Sequence, residues 1–480
     1  MNKSIQNLAT TIVVGFVIVA VTLGYWQVVR ASDLTSDFRL NRYRLLEQEK
    51  RIARGRILDR SGAELAWTEM KDGVGTRVYS QPYLSHVTGF HSLMFGNTNV
   101  EQSFDAYLRG DVGVDPISAL VSGALGQPPK GADVVLTIDS EIQRAAEEAL
   151  GPAKGAVVAV EPRTGSVLAM VSHPYFDPNR LEKDWDKLKE DPGDPLLNRA
   201  TQGLYVPGST FKTITLAAAL EEGVASPDEV FEFDMSTDNE GKPYHVEMVG
   251  GFPVVCANHG MTSPGKAVMT LSDVYAASCN VAFARLGLRL GPDRLAEYAK
   301  RFGFESTPPI EIPSEASHIA SSPTFLQDRV AVASTAFGQG ELLATPLQLA
   351  LVAAAIANEG TVPTPHIVQE VRAARGLIFV SQPKPWKQAV SPETARIVKD
   401  MMVAGVRQGW ASPASIEGVD VAGKTGTAEV RADETPHAWF IGFAPANDPK
   451  IAVAVIKENA GAGGTQAGPI AKKVMEAALR

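Results

Sequence analysis

The stretch PGSTFKTITLAAALEEGV, from Pro207 to Val224, decides how the rest of this 480-residue chain is read. Pro207-Gly208 interrupts the backbone, and an unbroken helical pattern starts directly after it. The pattern therefore opens on Ser209-Thr210-Phe211-Lys212. Positions i and i+3 share one helical face, so the Lys212 amine can approach the Ser209 hydroxyl. A serine at a helix start also lies near unpaired backbone N–H groups, which suit a developing oxyanion. Taken alone, the same residues describe equally well an N-terminal serine beside a solvated lysine. Ser-x-x-Lys recurs at Ser263–Lys266 and Ser381–Lys384, and about one such match is expected by chance at ordinary composition. Both of those hold a proline between the pair, which reads as a turn.

Working outward, Ser278-Cys279-Asn280 falls inside or at the end of the helical stretch LSDVYAASCNVAFARLGLRL, from Leu271 to Leu290. Lys424-Thr425-Gly426, followed by Thr427, lies in VDVAGKTGTAE, which reads as an extended edge. Each tripeptide is ordinary; the order of the three motifs is not. One decoy overlaps the last of them. Gly418 to Thr425 satisfies the phosphate-loop pattern G-x-x-x-x-G-K-[ST], but that loop needs a helix beginning at the Lys-Thr pair. The residues that follow contain Gly426, Pro436 and β-branched side chains and read as strand and loop, so a nucleotide site is not expected.

Composition narrows the field. An apolar fraction of 45% and a charged fraction of 21% are those of a globular chain. The net charge of −9 offers no broad basic surface for nucleic acid. The two cysteines can form one disulfide at most. The eight histidines (among them His259 and His437) contain no HExxH and no close cluster with cysteine, so no metal site is expected. His437 is placed on a loop.

Leu8 to Val29 is apolar and long enough to cross a hydrocarbon core of roughly 30 Å. It exceeds the usual apolar stretch of a cleavable signal, and Val29-Arg30-Ala31 is a poor cleavage site, so an uncleaved anchor is expected. Tyr25 and Trp26 suit its interfacial end. Lys3 alone marks the short side, whereas Arg30, Arg39, Arg42 and Arg44 follow the span; this count has little force for a long domain. Farther on, Gln127-Pro128-Pro129-Lys130-Gly131 marks a boundary. Asp139 is expected to cap a helix through EIQRAAEEAL. Strands AVVAV and SVLAMVS flank a turn at Pro162–Gly165 as an antiparallel hairpin. A helix is expected over TPLQLALVAAAIANEG, strands over WFIGFA and IAVAVI, a loop at Gly461–Gly464 and a helix from Pro469 to Leu479. Strands early and late with helices between them predict an α+β domain whose sheet joins distant parts of the chain.

With these residues in hand, the chain resembles a class B penicillin-binding protein, a membrane-anchored peptidoglycan D,D-transpeptidase. The ordered set Ser-x-x-Lys, Ser-x-Asn, Lys-Thr-Gly is that of the penicillin-binding group. The resemblance extends to RGRILDRSGAELA from Arg54 to Ala66, to Phe337-Gly338-Gln339-Gly340 and to TPLQLA from Thr345 to Ala350. Two amino-terminal motifs depart from the family pattern. Arg77-Val78-Tyr79 lacks the proline and glycine that usually follow. In Gly96–Glu101 an asparagine replaces the second glycine, and asparagine tolerates a left-handed turn.

The resemblance implies a serine β-lactamase-like transpeptidase domain over residues 136–480, with an antiparallel sheet flanked by helices. It also implies a cytoplasmic stub at 1–7, an anchor at 8–29 and an elongated pedestal at 30–135, too short for an added glycosyltransferase. Arg54, Asp59, Arg60 and Glu101 would bond that pedestal internally. Ser209 would be the nucleophile, and Lys212 its base once burial and the Lys424 cation have lowered its pKa. Ser278 would shuttle the proton, Asn280 would donate to the substrate amide, and Thr425 and Thr427, around Gly426, would bind the terminal carboxylate. Backbone N–H groups of Ser209 and Thr427 would form the oxyanion hole.

β-Lactams would acylate the same serine, and no cofactor is called for. The rival readings are a D,D-carboxypeptidase, a β-lactam sensor and a non-catalytic scaffold. The substrate would put the bulk of the chain outside the cytoplasmic membrane, in a setting that permits a Cys256–Cys279 disulfide as readily as two free thiols. A lipid II glycosyltransferase of the shape-elongation-division-sporulation type is the partner the resemblance implies.

Overall fold

The computed structural model describes residues 2–30, 46–47, 49–113, 130–239, 241–256, 267–322, 324–374, 376–431 and 433–480. Ser263–Lys266, His259, Arg39, Arg42, Arg44 and the Gln127–Pro129 breaker lie outside them. A helix from Asn2 to Gly24 continues through a wider π turn at Tyr25–Val29. Within it, Lys3–Gln27 has a mean hydropathy of 2.2 and buries none of its apolar window against the rest of the chain. At 1.5 Å per residue, 25 residues reach about 37 Å, enough to span a bilayer core. This helix fits a single-pass anchor.

The carboxy-terminal half is built on a five-stranded antiparallel sheet. Its order is Ala422–Ala428, His437–Ala444, Ile451–Lys457, Gly155–Val160, Val167–His173. The early hairpin thus closes against late strands, as the sequence predicts for an α+β domain. The three inner strands are buried from end to end apart from their termini, because helices cover both faces. On one face, Ser140–Leu150 and Gly468–Ala478 pack Ile142, Ala146, Val474 and Met475 against Val157, Ala159 and Val453. Asp139 caps the first of these helices, accepting from the N–H groups of Glu141 and Ile142. On the other face, Pro346–Ala357 is buried along nearly its whole length, with Lys212–Glu221 and Pro392–Gln408 packed around it.

The helical stretch expected through Leu271–Leu290 is broken at the Ser-x-Asn motif into Leu271–Ala276 and the helical span Asn280–Arg301, which itself kinks at Gly291 before Pro292. Two placements need correction. Gly461–Gly464 is not wholly loop, since a one-turn helix begins at Gly463. His437 is not on a loop but opens a strand, opposite Ala428; its Nδ1 accepts from Asn459 N–H at 3.1 Å.

A second sheet crosses the boundary expected near residue 135. Its order is Gly376–Val380, Val368–Ala373, Asp133–Leu136, Ile57–Leu58, Glu64–Lys71, Val74–Tyr79. Val134 pairs with Ile57 on one side and with Val371 on the other, so a hairpin from the carboxy-terminal half completes the amino-terminal sheet. Beneath it, Arg54 bonds Glu101 Oε2 and Asp105 Oδ1, each at 2.7 Å, and Arg77 Nε bonds Glu101 Oε1 at 2.6 Å. Glu101 is fully buried, which pushes its carboxyl up, but the Arg77 and Arg54 guanidiniums outweigh that and hold it below the usual range. Asp59 is buried, accepting from Ser61 and Ala63 N–H and from the Ser140 hydroxyl. Arg60 differs from the expectation: it is exposed and joins the fold through its backbone N–H to Ile138 O at 3.0 Å. Asn99 takes the left-handed conformation that its motif requires, at φ 49°.

Candidate active site

Ser209 sits on a 3₁₀ turn, Gly208–Phe211, that feeds the helix Lys212–Glu221. With three residues per turn, positions 209 and 212 eclipse, so the serine and the lysine lie over the same face. Gly208 has φ 56°, and a Cβ there would come within 2.7 Å of Thr427 O. Only glycine lets the turn pass this close under the strand Ala422–Ala428. Trp439 Nε1 donates to Val206 O at 3.0 Å and holds the approach to the turn from the next strand. Ser209 is part-exposed, whereas Lys212 behind it is fully buried.

Lys212 Nζ donates to Ser278 O at 2.6 Å, to Ser278 Oγ at 3.2 Å and to Asn280 Oδ1 at 2.7 Å. The sequence leads one to expect it on the Ser209 hydroxyl; instead its acceptors all come from the Ser-x-Asn motif. Lys424 Nζ reaches Ser278 Oγ from the opposite side at 2.8 Å and Thr425 O at 3.0 Å. One hydroxyl therefore stands between two buried amines. Aromatic rings complete their surroundings: Phe283 lies 5.5 Å from Lys212 Nζ, and Tyr275 lies 5.7 Å from Lys424 Nζ. Among the described residues, no carboxylate pairs with either amine.

Burial, and after it the Lys424 charge, push Lys212 well below the ordinary lysine range. Burial alone brings Lys424 down to about 7. Burial without a carboxylate partner disfavours the charged form, so such an amine gives up its proton more readily than an ordinary lysine, as a general base requires.

Lys424 to Thr427 lie on the sheet's edge strand, so the phosphate-loop decoy has no helix to serve. Thr425 is buried and Thr427 exposed. Ser381 and Lys384 fall between the strands Gly376–Val380 and Pro385–Gln388, on the other sheet's side of the molecule. Asn280 opens the helix Asn280–Arg301 and donates through Nδ2 to Val255 O at 3.1 Å. Next to it, Cys256 and Cys279 are joined as a disulfide with Cα atoms 4.9 Å apart. His245 Nδ1 stands 3.7 Å from Cys279 Sγ, giving a cluster that sequence spacing did not suggest; both of its sulfurs belong to the disulfide. Tyr275, Phe283 and Trp439 also carry no sequence signal, being aromatic core positions that happen to face the site.

The penicillin-binding protein transpeptidase domain matches residues 155–476. The chain belongs to the penicillin-binding protein family. The dimerisation domain of penicillin-binding protein A matches residues 54–134, and full-length similarity to PbpA transpeptidases makes it a class B member. It is 39% identical to peptidoglycan D,D-transpeptidase PbpA of Mycolicibacterium smegmatis, over 100% of this chain and 99% of that one. The PbpA of Mycobacterium tuberculosis is 37% identical over 100% of this chain and 99% of its own length. Among solved structures, the ceftriaxone acyl-enzyme complex of M. tuberculosis penicillin-binding protein A superposes with a TM-score of 0.80 at 36% identity. That match covers 91% of this chain and 100% of the other.

Proposed function

We infer that this chain is a peptidoglycan D,D-transpeptidase that cross-links stem peptides through an acyl-enzyme on Ser209. The observation that carries the reading is the convergence of two buried amines, Lys212 and Lys424, on the Ser278 hydroxyl beside the Ser209 turn.

Neutral Lys212 takes the proton of Ser209 Oγ, which attacks the carbonyl between the two terminal D-alanines of a stem peptide. Backbone N–H groups of Ser209 and Thr427 receive the oxyanion; in other enzymes, losing one such donor costs on the order of 10²–10³ in rate. The C–N bond then breaks, and Ser278 passes a proton to the departing D-alanine amine. An amine of a neighbouring stem attacks the ester, loses its proton along the same path and releases Ser209. One amide bond is exchanged for another, so no external energy source is needed. Thr425 and Thr427 bind the terminal carboxylate, and Asn280 donates to the substrate amide once substrate displaces Val255 O. A β-lactam acylates Ser209 in the same groove.

In this reading the apolar helix anchors the chain in the cytoplasmic membrane, with the catalytic half outside. The amino-terminal sheet, which ends on the strand Val74–Tyr79, is the surface offered to a lipid II glycosyltransferase of the shape-elongation-division-sporulation type. Co-purification of the two membrane proteins tests that pairing.

The deciding experiment labels wild type and Ser209→Ala with a fluorescent penicillin. Label on wild type and none on the variant is expected; label retained by the variant means that another nucleophile is at work. Wild type given polymerised lipid II should then yield cross-linked product. D-alanine release without cross-links would mark a carboxypeptidase, and acylation without either product a sensor or scaffold.

A further inference from the structure

Ser278 holds a backbone conformation that residues with a Cβ avoid, at φ 57°. Four polar groups flank its Cα, and all four are bonded. Its N–H donates to Tyr275 O at 3.0 Å, and Cys279 N–H donates to Val274 O at 2.9 Å. Its C=O accepts from Lys212 Nζ at 2.6 Å. The Ala277 C=O accepts from Trp410 Nε1 at 3.2 Å. Both peptide planes that meet at this Cα are thereby held at both ends. Three of the four partners come from the helix leading into the motif or from the catalytic lysine. The fourth comes from a side chain in no recognised motif.

We propose that Trp410 is a positioning residue, whose indole N–H fixes the 277–278 peptide and so keeps the Ser278 hydroxyl between the two lysines. The assignment rests on the catalytic reading above. Trp410 follows the helix Pro392–Gln408, in a turn pressed onto the entrance of the Ser-x-Asn motif. Its own N–H reaches Ala276 O at 3.4 Å. A Cβ on the preceding Gly409 would lie 2.5 Å from that same oxygen, so the turn can come this close only with glycine there. On its far side, Trp410 O packs against Gly464, in the segment that backs Thr425. The turn thus wedges two of the three motifs at a fixed spacing. Without the indole bond, the 277–278 peptide is held only at its N–H end, by Tyr275 O, and its carbonyl can tilt toward the ordinary right-handed basin. That tilt carries Ser278 Oγ away from Lys424 Nζ, its nearest partner at 2.8 Å.

The test uses the full-length protein in detergent and measures the rate constant for acylation by a fluorescent penicillin across pH. Trp410→Phe keeps an aromatic ring and removes the donor. It should slow acylation about tenfold, the size of one net hydrogen bond, and displace the acid limb of the pH profile. Should that variant fold poorly, benzothienylalanine at position 410 keeps the bicyclic shape without the N–H and should give the same two changes. A wild-type rate and wild-type pH profile in the folded variant overturn the proposal. So does a lowered unfolding midpoint with an unchanged rate per folded molecule, since that is what a merely structural tryptophan would give. Ser209→Ala, run in parallel, separates the two ideas: if it keeps its label, the catalytic reading fails, whereas if it loses label and Trp410→Phe is unchanged, only the positioning role fails.

Discussion

Two regions of this molecule bury charge, and they do so in opposite ways. In the amino-terminal module, Arg54 and Arg77 close on Glu101, with Asp105 completing the set. In the groove of the other half, two amines, Lys212 and Lys424, meet over one hydroxyl. The first arrangement sets guanidiniums against carboxylates, so that opposite charges offset the loss of water. The second gives desolvation nothing to be offset by, so the protons come off instead. Pairing yields a rigid joint; withholding a partner yields a base.

Four changes would break or sharpen that contrast. Lys212→Met should slow β-lactam acylation by about 10²–10⁴-fold, the usual worth of a general base. Its unfolding midpoint should fall modestly, because the bonds from Nζ to Ser278 and Asn280 are lost; a sharp loss of stability would argue that the amine is chiefly structural. Glu101→Gln should do the reverse. It leaves Arg77 without its carboxylate and Arg54 with Asp105 alone, at a cost of about 3–5 kcal/mol in denaturant unfolding, while the folded fraction still takes up penicillin normally.

The pH dependence comes next. With neutral Lys212 as the proposed base, the acylation rate should climb as pH rises through its lowered pKa. Burial is the larger cause of the lowered Lys212 pKa and the Lys424 charge the second, and Lys424→Gln removes the second. Lys212 then keeps its proton to higher pH, and the climb should shift upward, on top of a lower plateau. A climb that stays in place would mean that burial alone sets the lysine. The smallest effect concerns the module's backbone. Asn99→Val should cost about 1–2 kcal/mol for a left-handed residue with a branched side chain, and Asn99→Gly should come nearer to neutral in thermal unfolding.

The order of the three motifs, the edge strand at Lys424 and the closing of early strands against late ones were legible in the sequence, because each is written in local pattern. The break at Ser278 was not. Apolar residues continue on both sides of it, and a single left-handed residue leaves no periodic trace. The direction of the Lys212 amine was missed because three acceptors brought in by Ser278 and Asn280 outbid the neighbour one turn away. Arg77 and Asp105, unlike Arg54 and Glu101, went unassigned because an ion pair between distant elements has no sequence spacing. Arg60 was placed in that network on the strength of a motif, yet its side chain faces solvent. Trp410 belongs to a turn that only tertiary packing makes important.

The completion of the amino-terminal sheet by Val368–Val380 has a practical consequence. A fragment trimmed to the catalytic half alone, by a protease or by design, would strip Asp133–Leu136 from the flank of Val368–Ala373. The bared edge would present a row of unsatisfied amides to any passing strand, the usual opening for aggregation. A shortened form of this protein should therefore be cut after the apolar amino-terminal helix, with both sheets kept whole.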